Sequence, residues 1–219
     1  MNLKLEAARE ALKAVRSGDR LGLGTGSTAE ELVKLLGAAL AEGALRDIRC
    51  TCTSQRTEAL AVSLGIPCFT LNELAPLDLA IDGADEIDAQ LRLIKGRGGA
   101  LLREKIVEQS AARFIVIADD SKIVEKLGVG VLPVEVTPFA CEVLLRKLAE
   151  FQPVQRGTFV TDEGNVILDV RVPETMDIAD AVARIREHAG VIDTGFFPTE
   201  ASEAIIAGAA GVRRLKRKT

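Results

Sequence analysis

Acidic and basic side chains concentrate in one stretch of the chain, around two flexible turns. The first turn is Asp82-Gly83-Ala84-Asp85, directly after an apolar strand predicted at 77–81. The second is Lys95-Gly96-Arg97-Gly98-Gly99, and Glu104 follows it on a helix predicted from residue 100. Carboxylates near an ammonium group can move protons, and α/β proteins bind ligands at strand ends. The same pattern is also compatible with a solvated acidic turn, so these residues by themselves predict only a candidate acid–base site.

A second glycine turn, GTGSTA at 24–29, lies between a predicted strand and a predicted helix. Its backbone N–H groups, the helix dipole and the hydroxyls of Ser27 and Thr28 can hold an anion. The dinucleotide fingerprint G-x-G-x-x-A also fits, but it needs an acidic residue at the end of the second strand. That strand ends Cys52-Thr53-Ser54, and Asp47 stands at its other end, so a small phosphate monoester is favoured over NAD. Three hydroxyls nearby are open to two interpretations, ligand contacts or helix caps: Thr53, Ser54 and Thr57.

Residues that could bind a metal are scattered. The one histidine, His188, has no recognisable triad partner. The acidic cluster from Asp82 to Asp88 lacks the spacing of a calcium loop, and we expect Glu86 and Asp88 to face solvent. We therefore expect no metal site. The cysteines form no C-x-x-C pair and are predicted to be buried apolar thiols: Cys50, Cys52, Cys68 and Cys141.

Composition limits the function classes. The 219 residues are 47% hydrophobic and 27% charged, as in globular proteins, and the net charge of −4 argues against general nucleic-acid binding. No apolar run approaches the roughly 20 residues of a membrane span. The N-terminal stretch is charged and amphipathic, without the apolar core of a signal peptide, so we expect a cytoplasmic protein.

The order of elements predicts an α/β fold with a mostly parallel Rossmann-like sheet and an inserted ferredoxin-like α+β domain. Strands and helices alternate up to the strand at 114–118, and a β-α-β-β-α-β order follows. The domains are predicted at 1–130 plus 203–219 and at 131–202. The basic tail is predicted to be a solvated terminus: Arg213, Arg214, Lys216, Arg217 and Lys218. The first pattern has predicted helices at 3–15, 29–40, 54–64 and 100–111, and strands at 20–23, 47–53, 67–71 and 77–81. The second has strands at 131–136, 159–160, 165–170 and 191–197, and helices at 139–150 and 178–188, before returning strands at 204–207 and 212–215.

Several motifs, in this order, resemble the type A ribose-5-phosphate isomerase family. They are GLGTGSTAEELV at 22–33, TSQRTEALA at 53–61, DGADEID at 82–88 and KGRGGALLREKIV at 95–107. The resemblance implies interconversion of D-ribose 5-phosphate and D-ribulose 5-phosphate through an enediolate, in the non-oxidative pentose phosphate pathway. It also implies no metal or organic cofactor, and a homodimer or homotetramer.

By the same resemblance, Glu104 is the base, Lys95 stabilises the enediolate and Asp82 assists ring opening. Arg97 departs from the K-G-G-G turn frequent in the family, which leaves open whether its guanidinium adds a cation to the site. Glu108, four residues after Glu104, offers that glutamate no cationic partner on the helix surface. The implied substrate-binding residues are Thr25, Gly26, Ser27, Thr28, Asp82, Gly83, Ala84, Asp85, Lys95, Gly96, Arg97, Gly98 and Lys122.

Two alternatives to this function are a sugar-phosphate-sensing module and a second enzyme, a sugar-phosphate deaminase or a related isomerase on a similar sheet. Sensing modules of similar fold follow a DNA-binding segment, and none is recognisable in this sequence. Substrate trials distinguish the deaminase from the isomerase.

Overall fold

Short apolar strands alternate with amphipathic helices along the chain, as the hydrophobic periodicity predicts. The computed structural model describes residues 2–217. The helices are α1 (Leu3–Leu12), α2 (Ser27–Ala41), α3 (Gln55–Ser63), α4 (Leu71–Leu74), α5 (Leu101–Gln109), α6 (Cys141–Lys147) and α7 (Ile178–Arg186). The strands are β1 (Arg20–Leu23), β2 (Arg49–Cys52), β3 (Leu79–Asp82), β4 (Glu86–Ile87), β5 (Leu93–Ile94), β6 (Phe114–Asp119), β7 (Leu132–Val136), β8 (Val154–Gln155), β9 (Val166–Val170), β10 (Val191–Thr194), β11 (Phe196–Phe197), β12 (Glu203–Gly208) and β13 (Gly211–Lys216).

The largest sheet has the strand order β13-β12-β6-β3-β1-β2, and every neighbouring pair except β12–β13 is parallel. Its central strands are almost continuously buried because other elements of the chain pack on both faces of the sheet. The predicted mostly parallel α/β sheet is thus confirmed. Since parallel strands end at the same edge, the turns after β1, β3 and β6 lie side by side.

Two apolar layers fix this sheet. Helices α1 and α2 contribute Ala8, Leu32 and Leu36 to a cluster on one face. Phe114 and Phe197 belong to a second cluster, which includes other residues of β6 and β12. Phe197 belongs to β11, which lies outside the large sheet. Large aromatic side chains bury much apolar area, so Phe197 helps hold β11 against the large sheet.

A four-stranded antiparallel sheet has the order β10-β7-β9-β8 and packs against α6 and α7. The chain order β7-α6-β8-β9-α7-β10 is the predicted ferredoxin-like one. The strand predicted at 159–160 is wrong, since β8 lies at Val154–Gln155. Phe159 and Val160 instead belong to a loop after Gly157, which has φ +50°. The domain boundaries at 131 and 203 stay a prediction.

The strand predicted at 191–197 is divided at Gly195. Its carbonyl accepts the Lys95 N–H at 2.8 Å, and its N–H donates to the Pro133 carbonyl at 2.7 Å. A Cβ at Gly195 would lie 2.1 Å from the Lys95 carbonyl oxygen, so only glycine permits this approach. Beyond it, β11 pairs with β5, and β5 pairs with β4, in a three-stranded sheet. The strand pairing of this small sheet ends at Ile94, directly before Lys95.

Two further predictions are corrected. The strand predicted at 67–71 is wrong: Cys68 makes only an isolated bridge to Cys50, and Thr70 with Glu73 forms a capping box that starts α4. The helix predicted at 3–15 ends at Leu12. The cysteines are free, with Cys50 and Cys141 buried as predicted and the other two half-buried.

The basic tail forms β13, which continues the sheet beside α1, and Arg213, Arg214 and Lys216 are exposed as predicted. Arg214 pairs with Glu10 and Glu203, both at 2.9 Å. Arg217 donates to the carbonyls of Ala201 at 2.9 Å and Leu91 at 2.8 Å. Lys218 lies outside the described residues. Among residues 2–217, no helix has the length and apolar character needed to cross a membrane.

Candidate active site

A cleft of ≈ 370 Å³ opens at the sheet edge where β1, β3 and β6 end. It gathers all the predicted site residues except Asp82 and Arg97. Three lining residues were not predicted, namely Lys4, Asp119 and Ser121. The predicted residues that line it are Thr25, Gly26, Ser27, Thr28, Gly83, Ala84, Asp85, Lys95, Gly96, Gly98, Glu104 and Lys122.

One end of the cleft is the N-terminus of α2. Gly26 precedes this helix with φ +116°, and no side chain caps its first N–H groups. Lys4 of α1 donates to the Ser27 hydroxyl at 2.8 Å, and Lys122 lines the same cleft. Free N–H groups, the positive end of a helix dipole and two ammonium groups suit a phosphate.

Buried hydroxyls support this loop from behind. The Thr25 hydroxyl lies 2.7 Å from that of Thr53, 2.8 Å from that of Ser54 and 3.1 Å from that of Thr57. Thr57 also donates to the Gly24 carbonyl at 3.0 Å, and Ser54 caps α3. Of the two interpretations of these hydroxyls, the structure favours caps and loop supports, since Thr53, Ser54 and Thr57 do not line the cleft.

Asp82, the last residue of β3, lies beneath the loop. Its Oδ1 accepts the N–H groups of Thr25 at 2.9 Å and Gly83 at 2.6 Å. A Cβ at Gly24 would lie 2.0 Å from that oxygen, so the glycine makes room for the carboxylate. Burial raises the pKa of Asp82, opposed by Lys95 and by these N–H donors.

Lys95 occupies the centre of the buried end. Its Nζ lies 2.5 Å from the Gly83 carbonyl oxygen, 3.0 Å from Asp82 Oδ2, 3.2 Å from Glu108 Oε1 and 3.9 Å from Glu104 Oε2. Its side chain is 2% exposed, yet it reaches the cleft. Burial alone would lower the pKa of Lys95, but the surrounding carboxylates raise it, so the amine is an ammonium.

Glu104 lies in the first turn of α5 and faces the cleft. Burial raises its pKa to about 8, with the Lys95 ammonium opposing and the negative charges of Asp82 and Asp85 adding to the rise. A carboxylate of this pKa can accept a proton from carbon and return it near neutral pH. The arrangement therefore supports proton transfer beside a cation.

Glu108 was missed as a site residue. In the sequence, Glu108 only excludes a surface ion pair for Glu104. The i, i+4 spacing in fact places both carboxylates on the buried face of α5, and this spacing was the available signal. Lys4 gave no signal, because only the packing of α1 beside α2 brings it to Ser27.

Arg97 does not add a cation to the cleft. Its guanidinium lies 3.1 Å from Glu86 Oε1, while its backbone N–H donates to Asp85 at 2.9 Å. The prediction that Glu86 and Asp88 face solvent is wrong. Glu86 accepts the N–H groups of residues 128 and 130, and Asp88 accepts those of residues 90 and 92. Backbone donors thus compensate the burial of both carboxylates.

Outside the cleft, His188 follows α7 and is half-buried. Within residues 2–217, no group of three or more His, Cys, Asp or Glu side chains is placed to hold a metal ion. The fold and the cleft define an α/β protein with a buried acid–base centre beside an anion-binding loop.

The chain is similar to known proteins of one family. The family described as Ribose 5-phosphate isomerase A (phosphoriboisomerase A) matches residues 49–211. Relatives named ribose-5-phosphate isomerase A from Sinorhizobium medicae and Roseiflexus castenholzii are 47% and 50% identical to this chain. The alignments cover 98% and 96% of this chain, and 97% and 93% of those relatives.

Solved structures agree. A D-ribose-5-phosphate isomerase in complex with phospho-erythronic acid superposes with a TM-score of 0.93 at 38% identity, covering 99% of this chain and 100% of that one. Ribose 5-phosphate isomerase A from Methanocaldococcus jannaschii gives 0.92 at 39% identity, covering 98% of both chains. The chain belongs to the ribose 5-phosphate isomerase A family, which confirms the resemblance of its motifs.

Proposed function

We propose that this chain interconverts D-ribose 5-phosphate and D-ribulose 5-phosphate, in the non-oxidative pentose phosphate pathway. The observation that carries the proposal is one cleft with an anion-binding loop at one end and Lys95 with Glu104 at the other. Relatives at 47–50% identity bear the isomerase name. The ligand named with a structure of 38% identity, phospho-erythronic acid, is a phosphorylated acid, which suits such a two-ended cleft.

The substrate phosphate binds at the start of α2. Backbone N–H groups at 26–28 donate to it, and the ammonium groups of Lys4 and Lys122 neutralise its charge. Lys4 already contacts the Ser27 hydroxyl, so the phosphate replaces or joins that contact. The C1–C2 end of the sugar then points toward Glu104 and Lys95.

Glu104 moves the proton. In the aldose-to-ketose direction its carboxylate removes the proton from C2, the C–H electron pair forms the C1=C2 double bond, and the C1 carbonyl oxygen becomes an enediolate oxygen. Lys95 stabilises that negative charge with its ammonium. Glu104 then delivers the proton to C1, the C2 oxygen becomes the ketone as its hydroxyl proton leaves, and that proton passes to the C1 oxygen, which becomes the C1 hydroxyl.

Asp82 acts in ring opening, which frees the aldehyde before isomerisation. Its carboxylate does not line the cleft, so its proton exchange runs through the Lys95 ammonium, 3.0 Å from Oδ2. Asp85 and the backbone of Gly83 to Ala84 contact the sugar, together with the turn at Gly96 to Gly98. Arg97 supports that turn through Glu86.

Incubation with ribose 5-phosphate tests the function directly. The expected result is the ketose phosphate, observed by NMR. A separate incubation with amino-sugar phosphates should release no ammonia. Ribose without phosphate is the matched control, and it should turn over far more slowly because the loop at 26–28 has no anion to hold. No ketose from ribose 5-phosphate would reject the proposal, and ammonia release would favour the deaminase.

We propose also that the protein is a cytoplasmic homodimer or homotetramer, as its family resemblance implies. Light scattering on the purified protein measures its assembly, and cell fractionation tests the location.

A further inference from the structure

The Glu108 side chain is fully buried, with 0% exposure, and does not line the cleft. Neither of its carboxyl oxygens has a hydrogen-bond partner of good geometry, although Oε1 lies 3.2 Å from Lys95 Nζ. A buried carboxylate with so little compensation is costly. The proposed reaction assigns it no step, so its presence behind Lys95 needs an explanation.

The charges around Glu108 do not balance if every group is ionised. Its near neighbours are the Lys95 ammonium, Asp82 at the end of β3 and Glu104 on its own helix. One cation thus faces three carboxylates, each at most 5% exposed. The other ionisable groups near α5 are engaged elsewhere: Lys105 with Asp193 of β10, Glu135 of β7 with Thr161 and Asn165, and Asp85 with the Arg97 N–H.

The three carboxylates differ in what can stabilise a negative charge. Asp82 accepts two backbone N–H bonds in addition to its ammonium contact. Glu104 faces the cleft, where water and substrate reach it. Glu108 has neither kind of support. We propose that Glu108 is a positioning residue of the isomerase, a neutral carboxylic acid that holds the Lys95 ammonium from behind. This inference rests on the proposed function.

A neutral Glu108 serves the reaction in two ways. Its Oε1, 3.2 Å from Lys95 Nζ, attracts the ammonium as part of a neutral dipole and positions it without neutralising it, so the positive charge remains available for the enediolate. It also spares Glu104 a further negative neighbour beside Asp82 and Asp85, which would raise the pKa of the base further. Burial raises the pKa of Glu108 well above its ordinary value, in agreement with the protonated form.

A comparison of two Glu108 variants tests the inference. Glu108→Gln keeps an acceptor and is neutral, like the protonated acid, whereas Glu108→Leu fills a similar volume without an acceptor. We expect Glu108→Leu to lower kcat on the order of 10²-fold with little change in KM, because Lys95 is misplaced. Glu108→Gln should recover most of that loss. The exposed Glu142→Gln, on α6, is the control and should match the wild type.

The pH profile supplies a readout that a merely structural role would not move. The acid limb of kcat/KM should stay in place in Glu108→Gln, because one neutral group replaces another. An ionised Glu108 would instead shift that limb to lower pH when replaced, since a like charge near Glu104 disappears. That shift, or a kcat as low in Glu108→Gln as in Glu108→Leu, would overturn the inference.

The remaining outcomes are equally decisive. A folded Glu108→Leu protein with the wild-type kcat would overturn the positioning role. If Glu108→Leu fails to fold, the pH profile of Glu108→Gln decides alone. A wild-type protein without isomerase activity would instead reject the proposed function, so the two failures are distinguishable.

Discussion

The two ends of the cleft use charge in opposite ways. At the phosphate end, Lys4 and Lys122 are half-buried, and the helix start at Gly26 contributes backbone N–H groups. At the reaction end, Lys95 and Glu104 are almost completely buried. Charges beside water interact less strongly with one another than charges enclosed by protein.

This difference follows from what each end must do. Holding a phosphate requires only positive potential and donors, and both function in contact with water. Moving a proton from carbon near neutral pH requires a carboxylate of raised pKa and a cation whose electrostatic interactions are not weakened by water. Burial provides both. Changes at the reaction end should therefore appear in kcat, and changes at the phosphate end in KM.

The largest effect is expected for Glu104→Gln, which keeps shape and hydrogen bonding but removes the base. General base catalysis contributes on the order of 10²–10⁴ in rate, so kcat should fall by that factor with affinity much less affected. In heavy water, the wild type should incorporate solvent deuterium at the exchanging carbon and the variant should not. A folded variant with near-wild-type kcat would make Asp82 the next candidate base.

Next comes Lys95→Ala, which removes the cation for the enediolate. Loss of one such donor typically costs on the order of 10²–10³ in kcat, and KM should rise less. The variant also leaves Asp82 and Glu104 without a counter-charge, so its melting temperature should fall more at pH 8 than at pH 5, where they can be protonated. An effect on KM alone would show that Lys95 only binds substrate.

Gly26→Val tests the phosphate end. Gly26 has φ +116°, and a β-branched residue there would distort the loop and its N–H groups, although a Cβ would meet no atom within 4 Å. Loss of charge-assisted hydrogen bonds should raise KM on the order of 10–100-fold with a smaller change in kcat. Gly18→Val is the matched control, because Gly18 has φ +89° with equally free space and lies away from the cleft. Equal KM values in the two variants would move the phosphate site elsewhere.

The pH dependence gives a graded effect. The pKa of Glu104 is about 8 against an ordinary 4.5, and the base form exists above the pKa. The value of kcat/KM should thus rise about tenfold per pH unit below pH 8 and level off above it. The sign for folding is opposite: because the folded pKa is the higher one, Glu104 lowers stability as pH rises from 4.5 to about 8. A flat profile between pH 6 and 8 would contradict this pKa.

The sequence predicted much of the cleft because its residues follow strand ends. Asp82 ends β3, Gly26 and Lys122 lie in the turns that follow β1 and β6, and parallel strands bring such positions together whatever the details of packing. The alternation of strands and helices, and the later β-α-β-β-α-β order, were predictable because hydrophobic periodicity is a local property of each segment.

What the sequence did not predict depends on contacts between distant segments. Glu108 reaches Lys95 only because α5 packs against β3, and Lys4 reaches Ser27 only because α1 lies beside α2. Glu86 is buried because backbone N–H groups more than forty positions away donate to it. The division of the strand at Gly195 requires the nearby Lys95 backbone.

The smallest effect is expected for metal removal. A divalent cation at the reaction end would need the carboxylates of Asp82, Glu104 and Glu108, and the Lys95 ammonium already lies 3.0–3.9 Å from all three. A second cation there would be repelled by the ammonium at short range. Dialysis of the wild type against a strong chelator should therefore leave kcat and KM unchanged.

Added Mg²⁺ should not restore the activity of Lys95→Ala, because a hydrated Mg²⁺ demands octahedral geometry that a cavity shaped for a lysine side chain does not offer. Activity lost to the chelator and recovered with a divalent ion would show that a metal, and not Lys95 alone, stabilises the enediolate.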